Sequence, residues 1–222
     1  MCCAGPLTRD DAGPTPGEVG MATLVHAAIT SLDGYVADRD GRFDWSAPDE
    51  EVHLAVNALH RGVGTLLYGR RVYDVMTAWE DMETADEPPA VQEFADLWRA
   101  AHKVVYSRTL TEPRSARTQI ERDFDAEAVR RLLRSSPHDV LIGGADLTGQ
   151  ALRAGLVGEL HLFVTPVLVG GGTRALPHDV RLDLELVDVR RFAGGVVHLH
   201  HRVRDGGPAT GSGGGAGATS AR

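Results

Sequence analysis

Val140-Leu141-Ile142-Gly143-Gly144-Ala145-Asp146-Leu147-Thr148-Gly149-Gln150-Ala151-Leu152 decides how the rest of the chain is read. A short apolar run, Val140 to Ile142, reaches paired glycines and continues into a helix-like stretch from Ala145. A strand that turns through glycines into a helix brings bare backbone amides and a positive helix end close to a ligand, which suits phosphate or pyrophosphate. Two further strand-end segments, Tyr68-Gly69-Arg70-Arg71 and Tyr106-Ser107-Arg108-Thr109, put arginines and a hydroxyl where the same dinucleotide would reach.

Outward from this segment, strand and helix signals alternate. Ala22 to Ile29 is an apolar run of strand length that ends in the loop signal Thr30-Ser31-Leu32-Asp33-Gly34. Ser46 and Pro48 mark a helix start, with Val52, Ala55, Val56 and Leu59 at helical spacing. Val63 to Tyr68 reads as a strand and Arg71 to Met76 as a short helix. Pro89 to Ala101 reads as a helix with Val91, Phe94, Leu97, Trp98 and Ala101 on one face. Lys103 to Tyr106 and Thr118 to Glu121 read as strands, and Asp125 as the N-cap of a helix carrying Val129, Leu132 and Leu133. Beyond the glycine pair, Ala145 to Ala154 is a predicted helix. Glu159 to Val169 is a predicted long strand in which Pro166 marks a bulge or an end. Leu182 to Val189 and Val196 to Val203 follow with no helix between them. Repeated strand-helix units closed by hairpin-like strands predict an α/β fold, a mostly parallel central sheet with antiparallel C-terminal strands.

A chain of 222 residues with an ordinary apolar fraction can bury one core, placed here over residues 21 to 204. Residues 1 to 20 mix Gly, Pro, Asp and Thr without apolar periodicity, and residues 205 to 222 are Gly, Ala, Ser and Thr. Both are expected to be flexible and outside the fold. Cys2 and Cys3 sit in the first of these, so the folded part has no disulfide framework and no thiolate nucleophile. No apolar stretch reaches membrane length and residues 1 to 20 lack a secretory apolar segment, so a cytoplasmic protein is expected. The net charge of −8 disfavours nucleic acid as a partner and makes the local pair Arg70 and Arg71 more informative.

Ligands of open α/β sheets sit beyond the carboxyl ends of the strands, where all three segments are predicted to lie. Gly69 permits close approach and the guanidiniums of Arg70 and Arg71 can bind an anion; taken alone, the motif reads more simply as a tight turn with two solvated arginines. Ser107, Arg108 and Thr109 are ordinary alone and gain meaning from recurrence at one edge.

Five motifs in order resemble a known family. They are Ser31-Leu32-Asp33-Gly34-Tyr35, Gly69-Arg70-Arg71-Val72-Tyr73, Ser107-Arg108, Gly143-Gly144-Ala145-Asp146-Leu147 and Thr165-Pro166-Val167-Leu168-Val169-Gly170-Gly171-Gly172. Over about residues 21 to 204 the chain resembles dihydrofolate reductase-like proteins, in the branch close to the reductase domain of the bifunctional riboflavin-biosynthesis deaminase-reductase. The resemblance implies a three-layer dihydrofolate reductase-like fold, NADPH as cofactor and a homodimer. It also implies that Gly69, Arg70, Arg71, Ser107 and Arg108 hold the adenosine and 2′-phosphate end. Gly143, Gly144, Ala145, Asp146 and Leu147 would then hold the pyrophosphate and face the nicotinamide. The implied reaction is hydride transfer to a carbon-nitrogen double bond or carbonyl of a small pterin-like or pyrimidine-like molecule, with a proton delivered separately.

Asp33, in the loop after the first strand, is the first candidate for the polar group beside the substrate. Glu50, Glu51 and His53 on the first helix are alternatives, since folate-reducing members present their acidic residue from that element. An Asp-Gly turn and a favourable first helical turn account for the same residues. Val72 stands where the folate enzymes commonly carry Thr, which removes a hydroxyl contact to the cofactor phosphates. The acidic residue on the first helix is not uniquely placed, which weighs against folate as substrate. No deaminase-type zinc motif precedes the domain, so a complete bifunctional enzyme is not expected. Gly170-Gly171-Gly172 either lets a loop approach the substrate or allows a sharp turn. His198 and His200 alternate on one strand face beside His201, and a metal site needs further ligands that this spacing does not provide, so no metal is expected. Trp45, Trp79 and Trp98 fit core or pocket-wall roles. A non-catalytic nucleotide-binding protein that keeps the fold and a true dihydrofolate reductase remain as other readings.

Overall fold

Residues 21–204, which the computed structural model describes, alternate short apolar runs with amphipathic stretches that fold as strands and helices. The two segments read as flexible, 1–20 and 205–222, lie outside the described residues. The elements are β1 (Leu24–Thr30), β2 (Tyr35–Ala37), α1 (Glu50–His60), β3 (Val63–Gly69), α2 (Arg70–Met76), α3 (Ala78–Asp81), α4 (Pro89–Ala100), β4 (His102–Tyr106), β5 (Thr118–Glu121), α5 (Ala126–Ser135), β6 (Asp139–Gly143), α6 (Ala145–Arg153), β7 (Glu159–Val164), β8 (Thr173–Arg174), β9 (Leu184–Arg191) and β10 (Val197–Val203).

The large sheet has the order β5-β4-β3-β6-β1-β7-β10-β9. From β5 to β7 the strands run parallel, and β10 and β9 are antiparallel additions. β2 and β8 form a separate antiparallel ribbon. Central strands such as Val140-Leu141-Ile142 are apolar without alternation because helices cover both faces. Val129 and Leu133 of α5 and Leu147, Ala151 and Leu152 of α6 pack on Leu24, Leu67, Val140 and Ile142. On the other face, Tyr73, Phe94 and Trp98 pack on Leu66, Tyr68, Val105 and Leu141, with Val56 and Leu59 of α1 beside them. Val52 of α1 meets Phe163 and Phe192 near the antiparallel strands. The result is the expected three-layer α/β architecture.

Local chemistry sets the boundaries. Asp49, and not Ser46 or Pro48, caps α1: its carboxylate accepts from the Val52 amide at 2.9 Å, while Ser46 ends a separate 3₁₀ turn. Asp125 caps α5 as expected. The strand expected over Glu159 to Val169 stops at Val164. The Thr165 amide still bonds Thr30 O at 2.8 Å, and then Pro166 has no N–H to continue the ladder.

Burial also builds in acid sensitivity. His26 on β1 is enclosed by the sheet, with Nδ1 3.1 Å from Ile142 O, and burial lowers its pKa below the usual 6.5. His60 lies edge-on to Phe94 and is lowered for the same reason. As pH falls, the unfolded chain takes up these protons first, so the contribution is complete above about pH 6.5 and is lost below it. In chelator-containing buffer the urea midpoint should decline as the pH is lowered from 7.5 to 5. A flat profile over that interval would contradict this account.

Candidate active site at the carboxyl edge of the sheet

Because β4, β3 and β6 are adjacent and parallel, their carboxyl ends deliver three turns to one edge. Gly69 pairs with Tyr106 and Tyr68 pairs with Gly143, so the turns share roughly 10 Å of edge at ordinary strand spacing. Gly69 precedes α2 and Gly144 precedes α6. Gly144 has φ +109°, which favours glycine, and a Cβ there would lie 3.4 Å from Gly69 N and 3.6 Å from Val72 Cγ2. The two glycine turns therefore abut, and Val72 forms an apolar wall beside them.

The Thr148 amide bonds Gly144 O at 2.8 Å. The amides of Ala145, Asp146 and Leu147 precede that bond and are the ones that an anion can take. Leu147 can offer only its backbone, because its side chain is in the core. The Asp146 carboxylate accepts from Gln150 Nε2 at 3.1 Å. A concavity of about 190 Å³ opens beside this first turn, lined by Ala145, Asp146, Gly149, Arg174 and His178 among others.

The arginines differ in commitment. Arg70 donates through Nε to Asp74 at 2.7 Å, and Asp74 also pairs with Arg114. Arg108 pairs with Asp123. Arg71 is exposed and has no ion pair among the described residues. The Ser107 hydroxyl accepts from Leu110 N at 3.0 Å and Thr109 N at 3.3 Å, which shapes the turn and leaves its proton to donate. Buried Tyr73 accepts from Arg114 N at 2.8 Å and lies 2.9 Å from Ser115 Oγ, so α2 is tied to the loop after β4.

Asp33 reaches the same edge from the loop after β1. Its carboxylate accepts from Gly170 N at 2.8 Å and Val169 N at 3.2 Å. The Ser31 hydroxyl and then these amides hold its carboxyl below the usual range, so at neutral pH it is an ionised acceptor. Glu51 accepts from Ala193 N at 2.9 Å in the turn between β9 and β10, and Glu50 is exposed. No hydrogen bond or ion pair joins Asp33 to either glutamate among the described residues. His53 is buried against Phe94 with ring centroids 5.6 Å apart, and burial lowers its pKa. The residues expected to hold the cofactor are thus brought together, whereas the candidates for proton handling are divided between the loop after β1 and helix α1. Asp33→Ala should speed hydrogen exchange at the Val169 and Gly170 amides; unchanged protection there would remove its role as a loop staple.

The family model for the RibD C-terminal domain matches residues 22–198. The chain belongs to the RibD C-terminal domain family. It is 32% identical over 182 residues to the uncharacterized protein YyaP of Bacillus subtilis, an overlap of 79% of this chain and 92% of YyaP. It is 29% identical over 166 residues to the riboflavin biosynthesis protein RibD of Mycobacterium tuberculosis, covering 71% of this chain. The chain spans about half of that relative, 46% of its length. A Shewanella sp. PV-4 protein assigned to riboflavin biosynthesis has the same fold, with a TM-score of 0.66 at 21% identity over 82% of this chain and 99% of that one. The Thermotoga maritima diaminohydroxyphosphoribosylaminopyrimidine deaminase/5-amino-6-(5-phosphoribosylamino)uracil reductase superposes with a TM-score of 0.59 at 15% identity, over 83% of this chain and 57% of its own.

In this RibD C-terminal domain, sequence reasoning quoted Tyr73 within a motif without giving it a role, and overlooked Asp74, Arg114 and Arg174. Arg114 lies in a stretch without periodicity and reaches the edge only through Tyr73 and Asp74. Arg174 sits on the short strand β8, its guanidinium 5.3 Å from the Tyr35 ring centroid. The one local cue to either was a cation close to a turn residue, Pro113 or the glycine triplet.

Proposed function

We propose that this chain is an NADPH-dependent reductase acting on a small pyrimidine-like or pterin-like heterocycle, or on a carbonyl compound. The observation that carries the reading is the meeting of Gly69–Arg71, Ser107–Arg108 and Gly143–Leu147 at one sheet edge, with Arg71 left without an ion pair among the described residues. Membership of the RibD family, and a fold neighbour named as a uracil reductase, favour a pyrimidine. Bound NADPH would supply the hydride. The amides of Ala145, Asp146 and Leu147 would receive its pyrophosphate, and Gly69 and Gly144 would let it approach the backbone. Arg71, supported by Arg70, Arg108 and the Ser107 hydroxyl, would bind the 2′-phosphate end. Asp33 would hold the loop carrying Gly170 at the substrate side, and Glu50 or Glu51 would handle the proton.

The same reading includes a homodimer. β9 is an edge strand with Leu184, Leu186, Val187 and Val189 at 38–55% exposure, and a second copy would cover that strip. Light scattering should give twice the chain mass at micromolar concentration; a monomer would remove this part. No helix among the described residues is long and apolar enough to cross a membrane, and a cytoplasmic location goes with the proposal.

Titration of the purified chain with NADPH and NADH, read by calorimetry and nicotinamide fluorescence, tests the function. Preference for NADPH, followed by its oxidation with a reducible pyrimidine, pterin or carbonyl compound, is the expected result. Absence of binding near millimolar cofactor would sink it. Tight binding without oxidation across that panel would instead select a non-catalytic binding protein, a reading favoured by the commitment of Asp33 to loop amides.

A further inference from the structure

Away from this edge, the register of β7 and β10 gathers three histidines on one face, pairing His200 with His161 and His198 with Phe163. Glu159, two residues before His161, falls on the same face. The His161 ring stacks on His200 with centroids 4.0 Å apart, and its Nδ1 lies 3.0 Å from His198 Nε2. His161 is 7% exposed, and its remaining nitrogen, Nε2, is buried without a hydrogen-bond partner. That nitrogen is 3.7 Å from Glu159 Oε2, and His200 Nε2 is 3.0 Å from the same oxygen. The donor atoms of the three residues all lie within 4.8 Å of one another.

We propose that Glu159, His161 and His200 form a site for a divalent transition metal of the zinc type, with one position left open. A buried, unpartnered imidazole nitrogen is unfavourable, and an ion would satisfy it. Tetrahedral zinc separates its donors by roughly 3.3 Å, and the observed 3.0 and 3.7 Å lie on either side of that distance. When His161 donates Nδ1–H to His198, its lone pair is on Nε2, the tautomer that a metal requires, and His198 becomes the partner that orients the ring. Arg202 Nη2, 3.4 Å from Glu159 Oε1, holds the other carboxylate oxygen and leaves Oε2 for the ion. Two imidazoles and one carboxylate favour zinc or cobalt over magnesium or calcium. The spacing of His198 and His200 alone could not supply this set; β7 provides the missing ligands. Glu159 opens β7, five residues or roughly 16 Å before its carboxyl end, so the ion would clamp β7 to β10 without entering the site proposed for hydride transfer.

The test is titration of the chelator-stripped full chain with Zn(II) by calorimetry and with Co(II) by visible absorption. The expected result is one equivalent bound at micromolar affinity or tighter, with intense low-symmetry Co(II) bands and a raised melting temperature. Glu159→Gln and His200→Ala, each verified as folded by circular dichroism, should weaken that equivalent on the order of 100-fold, and His198→Ala by about 10-fold. His201→Ala, on the opposite face, should leave it within about twofold, since it supplies no ligand. No binding below millimolar metal, or binding that survives both Glu159→Gln and His200→Ala, would overturn the site. If one of these two variants fails to fold, the other decides.

Discussion

Arg71→Ala is expected to raise the Kd for NADPH roughly 10- to 100-fold while leaving that for NADH within about twofold. The asymmetry follows from what each arginine already holds. Arg70 is engaged by Asp74 and Arg108 by Asp123, so their guanidiniums arrive at the edge partly neutralised. Arg71, exposed at the start of α2 and without an ion pair among the described residues, keeps a full positive charge for a phosphate that only NADPH carries. Arg70→Ala should therefore weaken NADPH less than Arg71→Ala does, and raised salt should narrow the difference between the two cofactors. Parallel titrations of both variants measure this directly. Equal losses for NADPH and NADH would detach Arg71 from the 2′-phosphate.

Gly172→Ala should be the most damaging single-methyl change in the loop after β7, costing about 3 kcal/mol or more. Gly172 has φ +130°, and a Cβ there would lie 2.1 Å from Ala37 O and 2.5 Å from Asp38 C. These are backbone atoms at the end of β2, so no rotamer change relieves the clash. Gly170, two residues earlier at φ +71°, meets nothing within 4 Å, and Gly170→Ala should cost only about 1 kcal/mol, the ordinary penalty for a left-handed residue. Urea denaturation of the pair separates the two effects. Similar midpoints would show that the close approach to β2 does not exist in solution.

That contrast also shows where sequence reading stopped. The glycine triplet was legible as a turn or as an approach to substrate, and neither alternative named β2, because a three-residue strand paired to two residues of β8 carries no periodicity. Continuous apolar runs bounded by turn residues, such as Val140 to Ile142 before Gly143, were legible because one strand fixes the pattern by itself. So were the arginines and glycines at the strand ends. What was not legible depended on residues far along the chain. Asp33 read either as the polar group beside the substrate or as part of an Asp-Gly turn, and the amides it accepts from are 136 and 137 residues away. Glu51 is held by Ala193 across 142 residues. The C-terminal limit of β7 was half visible, since Pro166 announced an end without saying which residue comes last.

The position of β1 bears on how the protein is made. Its neighbours in the sheet are β6 and β7, which begin at Asp139 and Glu159, so once β1 has left the ribosome it has no sheet partner until most of the domain has been synthesised. At ordinary translation rates that interval is on the order of ten seconds. Over that time an apolar segment, Leu24 to Ile29, is exposed to whatever binds nascent chains, and a fragment ending before β6 has nothing to close around it. Completion of the sheet's centre is a late event in biogenesis, and chaperone engagement of the first strand is expected to end only as β6 and β7 emerge.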